Sequence, residues 1–485
     1  MSNESSYLLR AMREHSISRR TLLGSLFFSA LASTTVGRAL GVGEPVITQI
    51  LGRPTNTSVA ISLLASEKVT AYIEYGYSKS KYTGKSSQVT LLAGVPQVLE
   101  LNSLKANSRV YYRLRFVTNG SKTVNSGKQY SFNTQRMAGA SFTFSVQGDT
   151  HPERAGKMFN SDLYFVTMAN IAAQQPDFHI LLGDDFSIDP LIDKGAANQA
   201  NVEQIYRTHR DWLSVAGSSV PIFLVNGNHE QAAGYLLDGT SSNPAILAGN
   251  ARLKYYALPA PNSFYSGDLG EIPSVGLPRD YYSWNWGDAL FITLDPYWHS
   301  KYAVDNVAGN SDGSAKVKNL WQVGIGDEQY AWLKKTLESS SAKFKFIFAH
   351  HVLGTGRGGI EISTNYEWGG LDPKGVSTFA KERPNWELPI HDLMVKHGVS
   401  IFFQGHDHIF VHQERDGVVY QSMPNPADDT FSMFNENAYK TGTKAPNSGH
   451  VRVSVSSSEA KVEYFLAARA KDSARKNLEL ACLCS

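Results

Sequence analysis

Hydrophobic and polar positions divide the chain into two parts that differ in their period. From residue 45 to 135, apolar and polar side chains alternate in short runs such as VTAYIEYGYS (69–78), and turn residues separate the runs. Alternation of this kind is typical of strands that bury one face, so it predicts a small all-β sandwich over 45–135. From about 140 to 470, continuous apolar runs alternate with amphipathic segments, which predicts an α/β domain.

The second part predicts specific elements. Long insertions rich in Gly, Ser, Pro and Asn are expected to form the rim of a substrate site. These insertions lie at 231–280, 301–320 and 354–386. Strands are expected at 141–146, 178–182, 221–225, 290–294, 344–349 and 400–404, with antiparallel strands around 410–423 and 450–466. Helices are expected at 158–175, 201–215, 327–338 and 388–397.

Composition narrows the classes of function. The chain has 485 residues, of which 42% are hydrophobic and 19% charged, so it can bury a large core. The formal net charge is +2, and it becomes −1 without residues 1–39. Such a balance gives no bulk attraction to nucleic acid, and no nucleic-acid partner is expected. The only cysteines, Cys482 and Cys484, lie in a C-terminal tail (471–485) to which no role is assigned, and they exclude a disulfide framework.

The first residues have the layout of an export signal. Arg19 and Arg20 precede an apolar stretch that ends near Val36 and is followed by small residues suited to cleavage. The stretch is short for a membrane span, so no stable membrane span is expected. The paired arginines resemble a twin-arginine signal, although Leu22 stands where Phe is usual. We therefore expect residues 1–39 to engage the twin-arginine export machinery and the protein to be periplasmic or secreted. The alternatives are an ordinary signal peptide and an amphipathic N-terminal segment.

Polar motifs follow the predicted strands of the second part at their carboxyl ends. In open α/β sheets, ligands bind beyond these ends, so Asp, His and Asn side chains from separate strands are expected at one rim. The glycines in the motifs are expected to let the backbone turn sharply there. The motifs are GDTH (148–151), GDD (183–185), GNHE (227–230), AHH (349–351) and GHDH (405–408).

The last motif places His406 and His408 on either side of Asp407. In an extended backbone, residues i and i+2 point to the same side, so both imidazoles are expected to face one spot, where convergent imidazoles indicate a metal. Asp407 is then expected to point away and to be structural.

The ordered set of motifs resembles the calcineurin-like metallophosphoesterases. The segments YYSWNWGDALFITLD (281–295) and DEQYAWLKKTLE (327–338) resemble the purple acid phosphatase branch, and LNSLKANSRVYYRLRF (101–116) resembles part of a fibronectin-type-III domain. The resemblance covers about 45–470. It implies a metallophosphoesterase β-sandwich flanked by helices over 140–470, of α/β (α+β) class, preceded by a small fibronectin-III-like sandwich over 45–135.

The resemblance also implies a centre of two metal ions with Asp184 as the bridging ligand. Mixed nitrogen and oxygen donors suit Fe, Zn or Mn. The other implied ligands are Asp149, His151 and His408 for one ion and Asn228, His350 and His406 for the second.

Residues next to these ligands are expected to meet the substrate. The resemblance implies that His229, together with Asn228, contacts phosphate and that His229 helps to protonate the leaving group. His351 is open between substrate contact and packing. Arg357 stands in a loop where the branch usually carries further histidines, and it is open between a phosphate clamp and a solvated residue. Glu230 is expected to support its loop.

One departure from the branch affects colour. Purple acid phosphatases have a Tyr three residues after the bridging Asp, where this chain has Ser187, and they lack a histidine in the first motif, where this chain has His151. Tyrosinate-to-iron charge transfer should then be absent, and a colourless or pale protein is expected.

The predicted function is hydrolysis of small-molecule phosphate monoesters by attack of a metal-bound hydroxide, which forms because the metal ions lower the pKa of bound water. A phosphodiesterase acting on nucleotide or lipid head-group esters is the alternative. A surface-binding protein that uses its β domain is the alternative from another class, and a nuclease on long chains is weakened by the near-zero charge.

Overall fold

The structure is a computed structural model, and it describes residues 45–230, 237–300, 304, 319–352 and 356–472. The predicted export segment, most of the insertion at 301–320 and both cysteines lie outside the described residues.

The first part is built from antiparallel sheets. One three-stranded sheet has the order β1-β2-β6, and a second has the order β4-β3-β7-β8 with β5 also paired to β3. Leu51, Ile61 and Leu114 belong to one buried cluster of this region, as expected for alternating strands that bury one face. The predicted all-β region is confirmed. The strands are β1 (Ile47–Gly52), β2 (Val59–Ala65), β3 (Val69–Gly76), β4 (Gly84–Lys85), β5 (Val89–Leu91), β6 (Gln97–Leu101), β7 (Arg109–Thr118) and β8 (Asn125–Asn133).

The second part contains two mixed sheets. Their strands are β9 (Phe142–Gln147), β10 (Phe178–Leu181), β11 (Ile222–Leu224), β12 (Ser266–Gly267), β13 (Tyr282–Trp286), β14 (Ala289–Thr293), β15 (Phe344–Phe348), β16 (Ile401–Gln404), β17 (Phe410–Arg415), β18 (Val418–Ser422), β19 (Thr443–Ala445), β20 (Gly449–Val455) and β21 (Ala460–Leu466). One sheet has the order β11-β10-β9-β20-β21, with β9, β10 and β11 parallel. The other has the order β12-β13-β14-β15-β16-β18-β17-β19, with β14, β15, β16 and β18 parallel.

Helices cover the outer faces of both sheets. They are α1 (Ser161–Gln174), α2 (Asp189–Asp193), α3 (Gln199–Gly217), α4 (Pro244–Tyr255), α5 (Gly326–Glu338), α6 (Tyr366–Gly369), α7 (Phe379–Glu382) and α8 (Ile390–Lys396), with 3₁₀ turns at Pro152–Arg154, Leu320–Gln322 and Glu436–Ala438. The Asn160 side chain caps α1 by accepting from the backbone N–H groups of Asp162 and Leu163, which satisfies two otherwise unpaired donors.

The core between the two sheets is aromatic. Phe144 of β9 packs against Phe291 of β14, with ring centroids 5.1 Å apart, and against Phe346 of β15 at 5.2 Å. Separate clusters lie under α1, α3 and α4 and under α5 and α8. The predicted β-sandwich flanked by helices is confirmed, and it aligns the carboxyl ends of the parallel strands in both sheets.

The insertions differ from the expectation. Residues 244–255 of the first insertion form helix α4, whose buried Leu247 and Ala251 join the cluster with α1 and α3. In the third insertion, Trp368 is fully buried. Parts of these insertions therefore belong to the hydrophobic core, because their apolar side chains pack in the layers that flank the sheets.

Candidate metal centre

The carboxyl ends of β9, β10, β11, β15 and β16 bring the predicted ligands to one buried location. Asp184 lies at its middle. The Oδ2 atom of Asp184 is 3.1 Å from His350 Nε2, 3.5 Å from His151 Nε2 and 3.9 Å from His229 Nε2. One carboxylate oxygen thus reaches side chains on both sides of the site.

Asp149 gathers a second group. Its Oδ2 atom lies 3.0 Å from His408 Nε2 and 3.8 Å from His151 Nε2. Asp149, His151 and His408 are at most 4% exposed and offer ligand atoms that all lie within 4.8 Å of one another. The structure therefore places these three residues as one potential metal-binding group.

A third group surrounds His350. Its Nε2 atom lies 3.0 Å from Asn228 Oδ1 and 3.2 Å from His406 Nδ1. His406 Nε2 has no hydrogen-bond partner among the described residues although it is buried. An amide oxygen, a carboxylate oxygen and an imidazole nitrogen thus converge on one imidazole nitrogen, which is the kind of donor set that binds a transition metal.

The backbone at these motifs is unusual. A positive φ is rare outside glycine and often marks functional loops. It occurs here at His151 (49°), Asp184 (60°), His406 (65°) and His408 (52°).

This conformation corrects the argument from an extended GHDH motif. The backbone at His406 and His408 is left-handed, and the two imidazoles face different partners: His406 faces His350, and His408 faces Asp149. The expectation of an extended backbone with both imidazoles facing one spot is therefore wrong, although both histidines do lie at the centre.

The glycines of the motifs serve two purposes. Gly183 has a φ of 95°, as a sharp turn requires. At Gly405 the need is space, because a Cβ atom there would collide with Asp149 Oδ1.

Carboxylates outside the predicted ligand set fix the loops. Glu230 accepts hydrogen bonds from the backbone N–H of Asp184 (2.8 Å), Phe186 (3.0 Å) and Gly227 (2.6 Å), and also from that of Asp185. Glu230 therefore ties the second motif to the third, in line with its expected supporting position.

Asp407 turns away from the histidines beside it. It accepts from Tyr439 Oη at 2.6 Å and from Gly358 N at 2.8 Å. Arg357 donates to the His406 carbonyl oxygen and, at 3.1 Å, to Asp407 Oδ1. The Arg357 side chain is 31% exposed, and its guanidinium has hydrogen-bond partners within the protein.

His351 lies next to the His350 group. It is 2% exposed, its ring centroid is 4.7 Å from that of His406, and its Nδ1 atom is 3.2 Å from Tyr297 Oη. This burial leaves little of its surface for a substrate.

His229 has partners that the sequence reading missed. Its Nδ1 atom is bound to Asp189 Oδ2 at the start of α2, and Arg154 Nη2 lies 3.3 Å from its Nε2 atom. Only an unprotonated Nε2 accepts from Arg154, so protonation of His229 breaks that contact. Another missed residue, Glu153, lies 2.8 Å from His151 Nδ1. Glu153 and Arg154 lie two and three residues after the end of the GDTH motif, and this closeness in sequence is the signal that could have indicated them.

Burial and neighbouring charges shift the pKa values of the predicted ligands in different directions. Burial raises the pKa of Asp184, but His350 and His229 outweigh burial and bring it well below the usual range. Burial lowers the pKa values of His151 and His406 well below the usual range. Burial also lowers the pKa of His350, but Asp184 and Asp149 outweigh it and raise the value to about 10. Metal binding needs ionised carboxylates and neutral imidazoles, so His350 must release a proton when an ion binds, whereas Asp184, His151 and His406 already have the required protonation states.

Comparison with known proteins now identifies the family. A family model described as calcineurin-like phosphoesterase matches residues 142–410, more than half of the chain. The chain belongs to the calcineurin-like phosphoesterase family. The chain is therefore a metal-dependent phosphoester hydrolase. No curated protein sequence matches it.

Two solved structures share the phosphoesterase fold. PhoD is 16% identical, with a TM-score of 0.58, and the match covers 86% of this chain and 85% of that chain. Purple acid phosphatase PPD1 from yellow lupin (Lupinus luteus) seeds is 15% identical, with a TM-score of 0.54, and the match covers 88% of this chain and 75% of that chain. At these identities the likeness establishes the fold alone.

The donor set fits the dinuclear centre that the phosphoesterase family implies. The groups around Asp149 and His350 adjoin each other through Asp184, and each offers both oxygen and nitrogen donors. Among the described residues, no helix has the length and apolar character needed to cross a bilayer.

Proposed function

We propose that this phosphoesterase hydrolyses phosphate monoesters at a dinuclear centre and works outside the cytoplasm. Asp149, His151 and His408 would hold one ion, Asn228, His350 and His406 the other, and Asp184 would bridge them. The single observation that carries the proposal is the position of Asp184 Oδ2, which lies within 3.5 Å of both His350 Nε2 and His151 Nε2.

Two bound metal ions supply the polarisation of a phosphoryl oxygen and the activation of water for in-line displacement. The chain itself supplies the charge balance. Asp149 and Asp184 are the carboxylates of the proposed ligand set, and neutral Asn228 takes a place that a third carboxylate could have filled. Two divalent ions with two carboxylates leave a positive centre, which attracts a phosphate dianion.

His229 is placed to supply a proton to the leaving group. Its Nε2 atom faces Asp184 at 3.9 Å, and its Nδ1 atom is held by Asp189. The side chain is 18% exposed, so the ring borders both the centre and solvent. A positioned acid of this kind contributes about 10²–10⁴-fold to the rate.

Arg154 stands at the mouth of the same site. Its side chain is 36% exposed, and the guanidinium can leave His229 for a substrate oxygen. A cation beside a positive centre favours an ester with two ionised oxygens, which supports a monoester over a diester.

The test is turnover of an aryl phosphate against a bis-aryl phosphate by the purified, metal-loaded chain. We expect higher kcat/KM for the monoester and loss of both metals and activity in Asp184→Asn. His391→Gln is the matched control, because His391 is a fully buried imidazole bound to Tyr420 and Asp416. Preference for the bis-aryl ester would establish the phosphodiesterase alternative. Full metal content without turnover of either ester would favour the surface-binding alternative.

Export rests on the sequence alone, since residues 1–39 carry the arginine pair. Replacing Arg19 and Arg20 by Lys should leave the protein in the cytoplasm if the twin-arginine machinery transports it. Fractionation and immunoblotting measure where the variant accumulates, and unchanged export would refute this part of the proposal.

A further inference from the structure

A second cluster of metal-binding side chains lies outside the dinuclear centre. Asp268 follows β12, Asp280 precedes β13, and His299 lies in the loop after β14, so three segments at one edge of the eight-stranded sheet meet here. Their ligand atoms all lie within 4.8 Å of one another. None of these residues belongs to the groups around Asp149, Asp184 or His350.

The cluster is buried and contains an unsatisfied oxygen. Asp280 is fully buried and Asp268 is 5% exposed. Asp280 Oδ2 lies 2.6 Å from His299 Nε2, while Asp280 Oδ1 has no hydrogen-bond partner among the described residues. A buried carboxylate oxygen without a protein partner is rare, and a bound ion is one of its ordinary explanations.

Asp268 directs a second oxygen toward the same point. Its Oδ1 atom accepts from Gly270 N at 2.7 Å, which fixes the carboxylate, and its Oδ2 atom lies 3.7 Å from His299 Nε2. Two carboxylates around one imidazole carry a net charge of −1 even when the imidazole is protonated. A divalent cation with a neutral imidazole brings the cluster to zero, which removes the cost of a buried net charge.

We propose that Asp268, Asp280 and His299 form a separate mononuclear site for a divalent first-row transition metal, Zn²⁺ or Mn²⁺. Carboxylate oxygens suit Mn²⁺, imidazole nitrogen suits Zn²⁺, and three protein ligands leave room for water as a further ligand. The cation replaces the proton on His299 Nε2 that bonds to Asp280 in its absence.

The site would fix the loop that borders the dinuclear centre. His299 shares the segment after β14 with Tyr297, whose hydroxyl lies 3.2 Å from His351 Nδ1, and with Asp295, whose Oδ2 atom accepts from Asn226 two residues before Asn228. A metal here would therefore join the end of the first insertion to this loop and act on stability without touching substrate.

The experiment measures metal content of the full chain by inductively coupled plasma mass spectrometry after loading with Zn²⁺ or Mn²⁺ and gel filtration. The parent carries Cys482→Ser and Cys484→Ser so that the thiols contribute no ion. We expect His299→Gln and Asp280→Asn each to hold one equivalent less than the parent, and His391→Gln, which changes a buried imidazole with one carboxylate partner, to hold the same amount.

A second measurement covers the case in which those variants fail to fold. Asp268→Asn keeps an oxygen for Gly270 N, so it preserves the loop contact while removing a charge. In an Asp184→Asn background, which disables the dinuclear centre, added Zn²⁺ or Mn²⁺ should raise the Tm, and Asp268→Asn should abolish that rise. Equal metal content in parent and variants, or an unchanged Tm response, would overturn the site and show a His299 imidazolium clamped between two carboxylates.

Discussion

Replacing Asp189 by Asn tests how the protein positions His229. Asp189 Oδ2 binds His229 Nδ1, and this contact orients Nε2 toward the centre. Burial lowers the pKa of His229, but the carboxylates of Asp184 and Asp189 outweigh burial and raise the value to about 9. The Asp189→Asn substitution keeps the size of the side chain and removes its charge.

The magnitude follows from one charge-assisted hydrogen bond. Such bonds contribute about 1.5–3 kcal/mol. The Asp189 side chain is 37% exposed, so solvent screening reduces the effect to about 1–2 kcal/mol. At about 1.4 kcal/mol per factor of ten, kcat/KM should fall about 5- to 30-fold.

The substitution should also shift the pH dependence of turnover, in a direction that follows from the role of His229 as an acid. A general acid works in its protonated form, which for His229 exists below its pKa. Asp189 raises that pKa, so Asp189→Asn should lower it and move the alkaline limb of the kcat profile to lower pH. The loss should be larger for an alkyl phosphate than for an aryl phosphate, because the alkoxide is the poorer leaving group.

The assay compares metal-loaded wild type, Asp189→Asn and Asp193→Asn on both esters from acid to alkaline pH. Asp193 is an exposed carboxylate on the same short helix and serves as the control. An unshifted alkaline limb, or equal losses on both esters, would refute the positioning argument. A loss of bound metal in Asp189→Asn would show a structural effect on the centre.

Three further predictions concern stability and colour. Glu230→Gln should lower the Tm and speed metal loss to a chelator. One carboxylate oxygen becomes an NH2 group, which cannot accept from its backbone N–H donors, and bonds of this kind contribute about 1.5–3 kcal/mol each. Asp211→Asn should stabilise the chain by up to about 2–3 kcal/mol at pH 8 and have no effect at pH 3. Burial, opposed by Arg210, raises the pKa of Asp211 from its usual 3.8 to about 6, so folding favours the protonated carboxyl and stability falls as pH rises through that interval; urea unfolding at both pH values measures it. Iron-loaded protein should lack an intense visible band, since Ser187 replaces the tyrosine of purple acid phosphatases, and an absorbance spectrum that shows such a band would contradict the prediction.

Much of the architecture was predictable because its strands are buried on both faces. Continuous apolar runs located β9 and β15 to within a residue or two, and the polar motifs after them marked the edge of the site. The carboxyl ends of parallel strands lie at the same edge of a sheet, so motifs that are far apart in the sequence lie close together in the structure.

Contacts between loops and helix ends were not predictable in this way. Asp189 contacts His229 because α2 begins beside the GNHE loop. Arg154 contacts His229 from a 3₁₀ turn that follows the first motif. Neither contact is indicated by a periodic pattern of apolar and polar residues. Helix α4 was missed for a different reason: its polar surroundings concealed a buried apolar face.

The two central carboxylates divide their oxygens between the protein and the site. Asp149 Oδ1 accepts from His406 N at 2.7 Å, and Asp184 Oδ1 accepts from His229 N at 2.9 Å, while each Oδ2 atom faces imidazoles. A left-handed backbone such as that of His406 or Asp184 costs about 1–3 kcal/mol, and these bonds offset part of that cost. Because each bond links loops from different strands, protein contacts hold the loops in place and leave the second oxygens for cations. The centre is therefore organised by the chain itself, and its geometry should survive removal of the metals.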